Sequence, residues 1–332
     1  MIVYITEQGA GIYISGERII LKKFNNVIGV FLTKDIDQVV IMGNVSISTQ
    51  AIKHFLKHKI DVVFTKYSGD FLGRLVPELG KNIILRRLQI TKLGNPKIKL
   101  KLAKNIIKAK VENSISVLRK LNYYHKDESV TTILNRLTVF KKQIVSIADI
   151  KSLLGFEGTA ANLYFGAFDF LIKGNLKFEK RTKRPPLNEV NALLSFGYTI
   201  LGNVVRTAVN TVGLDPYFGC YHVEEYGRPS MVLDLMEEFR AVAIDYLVIS
   251  SLNKGMVNKN DFIIDYENHD LPVSMSVYGR KKYIGLLEKR FNSYFWYEEK
   301  NKKMTLREII RYQAYKFAKA IIEDSEYKGF TF

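Results

Sequence analysis

The chain has 332 residues, 47% hydrophobic and 25% charged, a composition with enough apolar residues for a sizeable folded core. Fifty Lys and Arg against 33 Asp and Glu leave a net charge of +17, so the expected partner is a polyanion, either nucleic acid or an anionic membrane face. No uninterrupted apolar run reaches the ~18 residues that cross a bilayer, the start lacks a signal peptide's features, and the single cysteine, Cys220, excludes an intramolecular disulfide and fits a reducing cytoplasm.

In chain order, residues 1–77 read as β-rich. Segments 1–5, 11–15, 18–22, 27–33 and 38–42 are short, rich in β-branched and aromatic residues, and bounded by Gly, Asn or Asp. Gly16-Glu17 and Asn25-Asn26 are predicted hairpin turns. A helix is predicted from near Ser46, with Ile52, Phe55 and Leu56 on its apolar face. Strands 60–65 and 71–76 follow, around a turn at Ser68-Gly69-Asp70. After Pro77 the apolar spacing becomes three and four. It predicts helices over 82–93, 98–122, 129–149, 158–173, 188–212, 231–252 and 305–322. Lys177–Pro186 reads as an exposed loop, because Pro-Pro cannot continue a helix and the charges favour solvent. Residues 254–303 read as polar and irregular. The expected fold class is α+β, with a small N-terminal β-rich domain (1–77) and a larger all-α domain (78–332).

The charge is concentrated. Residues 81–120 hold twelve Lys or Arg and one acid, Glu112, a net +11 from forty residues. Lys97, Lys101, Lys104 and Lys108 are spaced by four, three and four, which stacks them on one helix face while Ile98, Leu102, Ile106 and Val111 turn to the core. Such a row calls for counter-ions, and a row of phosphates supplies them. A merely solvated face is the bland reading. The membrane reading fares worse, because the face lacks the Trp and Phe of an interfacial helix.

The other informative set is acidic. Asp234 and Glu237, three apart in Leu-Asp-Leu-Met-Glu-Glu-Phe-Arg, share a helix face and interrupt apolar sequence, so burial and a compensating cation are expected. Glu238 falls about 100° away and is expected at a salt bridge or in solvent. Arg240 is placed to orient Glu237 or hold a phosphate. His222 precedes this helix, whose expected N-cap is Ser230. Glu157 lies among Gly155, Gly158, Ala160 and Ala161, small residues expected to let a helix start approach a backbone or ligand closely. Carboxylates plus one imidazole suit a divalent metal acting on phosphate. Cys220 is expected to be a small buried hydrophobe.

At these residues the chain resembles the CRISPR-associated integrases of spacer acquisition. The match comprises Gly-Phe-Glu-Gly-Thr-Ala-Ala at 155–161, Arg-Pro-Pro through Ser-Phe-Gly-Tyr at 184–198, Gly-Leu-Asp-Pro-Tyr through His at 213–222, and Arg-Pro-Ser through Asp-Leu-Met-Glu-Glu-Phe-Arg at 228–240. Asn188 and Ala241 depart from residues common in the family. The resemblance implies that Glu157, His222 and Glu237 bind Mg²⁺ or Mn²⁺, with Asp234 beside them in the catalytic set. It also implies a homodimer through the β domain, a small companion protein, and a metal-dependent DNA endonuclease and integrase that joins a fragment's 3′-hydroxyl to a CRISPR repeat. Arg184 and Tyr164 are candidate DNA-positioning residues, with Lys97, Lys101, Lys104, Lys108 and Arg240. The alternatives are a non-catalytic dimeric DNA-binding scaffold and a stand-alone nuclease of branched DNA. The expected location is cytoplasmic and prokaryotic, with no membrane partner.

Overall fold

The computed structural model describes residues 1–75, 82–123, 126–173, 176–183, 185–267, 269 and 271–332. The chain divides into two compact units, Met1–Gly80 and Lys81–Phe332. The expected boundary after Pro77 and the candidate Arg184 lie outside the described residues.

In the first unit, β1 (Ile2–Ile5) leads through β2 (Gly11–Ser15), β3 (Arg18–Lys23) and β4 (Asn26–Leu32) to β5 (Gln38–Met42). The short β6 (Ser46–Ile47), α1 (Thr49–Lys57), β7 (Asp61–Thr65) and β8 (Phe71–Leu75) complete it. One sheet has the order β1-β5-β7-β8, with β1, β5 and β7 parallel and β8 antiparallel; the other runs β4-β3-β2-β6. Val3, Ile12, Ile19, Ile41, Phe55 and Val62 meet in its core. Two details differ from the sequence reading. The β3–β4 turn has its left-handed residues at Phe24 and Asn25 (φ 47° and 64°), one place earlier than Asn25-Asn26. The helix starts later than Ser46, because Ser48 caps it by accepting from Ala51 N–H while Ser46 and Ile47 pair with β2.

The second unit is mainly helical. It comprises α2 (Ile83–Leu93), α3 (Pro96–Asn122), α4 (Glu128–Lys142), α5 (Ile150–Gly166), α6 (Phe168–Leu171), α7 (Glu189–Val212), α8 (Ser230–Met236) and α9 (Tyr246–Asn253). Between α8 and α9 the chain widens into a π-helical turn, Arg240–Asp245. Long α3 opens with Asn95 as cap and Pro96 in its first turn, where a missing N–H costs nothing. α7 is long and apolar enough to cross a bilayer, yet 67% of its most apolar stretch is buried inside the protein, which makes it the central core helix. It ends at Gly213, whose φ of +92° favours glycine.

The stretch 254–303, expected to be irregular within an all-α domain, carries regular elements among its described residues, four of them strands. It holds β9 (Phe262–Ile264), β10 (Val273–Met275), α10 (Val277–Phe291), β11 (Tyr294–Tyr297) and β12 (Lys302–Thr305), before α11 (Leu306–Glu323). Described residues of the predicted exposed loop Lys177–Pro186 are held rather than free. Phe178 is buried, and Arg181 donates to Asn191 Oδ1 (2.9 Å) and Ser195 Oγ (3.0 Å) on α7. The C-terminal tail docks beside α3: Asn113 Nδ2 donates to Phe330 O (2.8 Å) and to Glu238 O (2.7 Å).

Candidate metal centre

Four elements of the helical unit bring the predicted acids and histidine together. Glu157 projects from the middle of α5, not from a helix start, because Asp149 is the cap that begins this helix. α4 ends at Lys142, short of the predicted 149, and α5 begins at Ile150, ahead of the predicted 158. A Cβ at Gly155 or Gly158 would meet nothing within 4 Å, so these glycines line open space beside Glu157 rather than a tight backbone approach. Phe156 behind it is buried and stacks on Phe140 of α4 at 4.3 Å between ring centres, which holds the helix in place.

His222 sits on the segment before α8, and Asp234 shapes that segment. Asp234 is fully buried. Its Oδ2 accepts from the N–H groups of Cys220 (2.5 Å) and Tyr221 (3.0 Å), and its Oδ1 from His222 N–H (2.9 Å) and His222 Nδ1 (2.8 Å). Gly219 makes this possible, since a Cβ there would collide with Asp234 Oδ2 and lie 2.8 Å from the Ser230 carbonyl carbon. A carboxylate can only accept, so Nδ1 carries a proton, and in the neutral ring the lone pair is then on Nε2. Asp234 is thus occupied with orienting the histidine and its backbone. Asp234→Asn substitutes an amide that cannot satisfy three backbone donors and is expected to cost about 3 kcal/mol or more; wild-type urea stability in that variant would contradict this account. Ser230 is the first residue of α8 rather than its cap, and its Oγ donates to Val223 O (3.1 Å).

Glu237 closes α8 and is 4% exposed. Its Oε1 accepts from Arg240 Nε (2.9 Å) and lies 3.9 Å from His222 Nε2. Its Oε2 is buried without a well-aligned hydrogen bond, 2.5 Å from Lys110 Nζ. Burial works against ionisation, yet Arg240, Lys110 and His222 outweigh it and bring the Glu237 pKa down to about 2. Lys110, on α3, also pairs with Glu157 Oε1, and Tyr221 OH donates to Glu157 Oε2 (3.4 Å). Burial acts to lower the Lys110 pKa, but the two glutamates prevail and raise it, so the ammonium stays charged.

The donor set therefore fits a divalent cation, and the lysine is the evidence. Two carboxylates converge on one cationic atom, and a histidine with a free, oriented Nε2 stands within 4 Å of one of them. Oxygen and imidazole donors suit Mg²⁺ or Mn²⁺.

Other sequence-based placements change. Glu238 is fully buried, not solvated. It accepts from Tyr327 OH and from Phe330 N–H (2.8 Å), and burial lifts its pKa to about 7. The C-terminal tail, docked beside α3 through Asn113, covers this position and turns the side chain inward. Tyr164 is buried rather than available to DNA. Its hydroxyl donates to Asp245 Oδ2 (3.0 Å), and Tyr198 OH donates to Oδ1 (2.5 Å). Burial raises the Asp245 pKa to about 6, although both hydroxyls oppose this. A cavity of about 40 Å³ lined by Lys110, Glu157, Tyr164, Tyr198, Arg240 and Asp245 adjoins the carboxylates. Lys97, Lys101 and Lys108 are exposed on α3, while Lys104 is half-buried and donates to Val145 O (2.8 Å). Cys220 is buried, as its type suggests.

Sequence reasoning missed Lys110, Tyr221 and the Asp245 cluster. In sequence, Lys110 is one of the twelve basic residues of 81–120. It follows Lys108 by two residues, about 200° around the helix, which already set it on the buried side.

Comparison with known proteins agrees with this architecture. The family model described as CRISPR associated protein Cas1 matches residues 3–289. The chain is 30% identical over 331 residues to "CRISPR-associated endonuclease Cas1 4" of Methanospirillum hungatei, covering 99% of this chain and 89% of that protein. It is 33% identical over 261 residues to a "CRISPR-associated exonuclease Cas4/endonuclease Cas1 fusion" of Geobacter sulfurreducens, covering 76% of this chain but 46% of the fusion. A casposase bound to integration product has the same fold, with a TM-score of 0.84 at 23% identity over 99% of this chain and 93% of that one.

Proposed function

The chain belongs to the CRISPR-associated Cas1 family, and on that premise we propose that it is a metal-dependent DNA endonuclease and integrase. It joins the 3′-hydroxyl of a short duplex to a phosphodiester of a CRISPR repeat. The observation that carries this reading is the convergence of Glu157 and Glu237 on the Lys110 ammonium, beside an Asp234-oriented His222. Glu157, Glu237 and His222 Nε2 hold Mg²⁺ or Mn²⁺. The ion, when bound, lowers the pKa of the attacking hydroxyl and offsets charge on the phosphorus oxygens. Asp234 fixes the histidine tautomer, and Arg240 holds Glu237 ionised and in place. No side chain acts as nucleophile. The fragment's O3′ forms the new bond to phosphorus, the repeat's P–O3′ bond breaks, and its oxygen leaves as a hydroxyl. The presence of all three ligands disfavours a non-catalytic scaffold.

The chain works in a prokaryotic cytoplasm as a homodimer, with the family's small companion protein. Dimerisation through the β unit is supported by edge strand β4, which exposes Val27, Ile28, Val30 and Leu32. The duplex runs along α3. Neutralising Lys97, Lys101 and Lys108 is expected to flatten the log–log salt dependence of duplex binding by up to ~0.9 per lost contact; an unchanged slope would remove the stripe from the interface. Strand transfer tests the whole reading. Labelled duplex should join a repeat-bearing supercoiled plasmid with Mn²⁺ and not with EDTA. Joining that persists in EDTA would overturn it.

A further inference from the structure

The β-rich unit carries a second cluster of metal-ligating groups, independent of the catalytic reading. His54 and His58 are one helical turn apart at the end of α1, and Glu17 stands on the β2–β3 turn. One ligating atom from each lies within 4.8 Å of the others, and His58 Nε2 is 3.9 Å from Glu17 Oε2. The imidazole rings face one another with centres 4.3 Å apart.

A second observation makes this more than a surface ion pair. Buried Thr33 Oγ1 donates its single proton to Glu17 O (2.8 Å) and also lies 2.8 Å from His54 Nε2. With its proton used, the hydroxyl must accept from Nε2–H, which leaves Nδ1 as the ring's lone-pair donor. An oriented imidazole whose other nitrogen is held by a hydrogen bond is the arrangement that metal-binding histidines adopt. The same hydroxyl ties the His54 ring to the Glu17 backbone, so two of the three ligands share one anchor.

We propose that Glu17, His54 and His58 bind a borderline transition-metal ion of the Zn²⁺ class, which fastens the end of α1 to the β2–β3 hairpin. Two imidazoles and one carboxylate, with a fourth position for water, are a recurrent zinc donor set. Ligands ~2.1 Å from the ion lie roughly 3.4 Å apart in a tetrahedron. The observed spacings of up to 4.8 Å exceed this, and Glu17 and His58, both exposed, are the side chains that would have to move inward on binding. Hard Mg²⁺ is a poor fit to two imidazoles, which separates this site chemically from the catalytic one.

Zinc titration of the full chain by calorimetry, at fixed pH with a chelator-stripped protein, tests the proposal. Wild type should show a zinc site that survives His222→Ala and is lost in the His54→Gln/His58→Gln pair. Both new residues are good helix formers, so α1 should persist, and circular dichroism checks this. Thr33→Val, which keeps all three ligands, should weaken that site by about 10- to 100-fold. Identical zinc stoichiometry and affinity in wild type and the histidine pair would overturn the proposal and leave Glu17–His58 as an ion pair.

Discussion

Glu157→Gln should lower strand transfer by about a thousandfold or more, the scale on which an active site loses stabilisation of developing charge. It should leave folding and duplex binding near wild type. The amide oxygen still accepts from Lys110, and Glu157 is partly exposed, so little packing is disturbed. What disappears is one anionic ligand of three. Joining assays with Mn²⁺, alongside thermal melts and filter binding at one salt concentration, separate these outcomes. Joining at the wild-type rate would remove Glu157 from the metal set. Joint loss of joining and folding would show that its role is structural.

Lys110→Met should act in opposite directions on the metal-free and metal-bound states. Without metal, the substitution leaves two clustered carboxylates facing a thioether, and breaking such a buried ion pair costs about 3 kcal/mol. Arg240 remains on Glu237 and limits the damage. With metal, there is no longer an ammonium to displace. Mn²⁺ affinity, read by electron paramagnetic resonance, should rise by about tenfold or more, equivalent to at least ~1.4 kcal/mol. The Mn²⁺-induced gain in melting temperature should grow in parallel. Equal Mn²⁺ affinity in variant and wild type would mean that the lysine and the ion do not compete for one place.

These expectations rest on features with unequal legibility in the sequence. The strands of the first unit were readable because alternation and turn residues coincide there, and α2, α3, α7 and α11 were readable from long apolar periodicity closed by clear caps. α10 escaped because its buried face includes Gly279 and Arg280 as well as Tyr283, Ile284 and Leu287. Its inward set therefore does not look apolar. The break before α5 was signalled only by Asp149, which serves as a cap despite following an apolar run. Glu157, His222, Asp234 and Glu237 could be chosen as a set from residue type, motif and neighbourhood. Their division of labour could not. Whether Asp234 holds a metal or a loop depends on backbone N–H groups twelve to fourteen residues away. Lys110 and Glu238 show the same limit in reverse. A lysine in a basic stripe and a glutamate beside another glutamate both read as surface, and only tertiary packing turns them inward.

The most direct measurement is the anomalous scattering of Mn²⁺ soaked into crystals of this protein. The account predicts a peak bounded by Glu157, Glu237 and His222 Nε2, with the Lys110 ammonium moved out of its place between the carboxylates. Crystals that take up Mn²⁺ elsewhere, while Lys110 stays paired with Glu157 and Glu237, would contradict it.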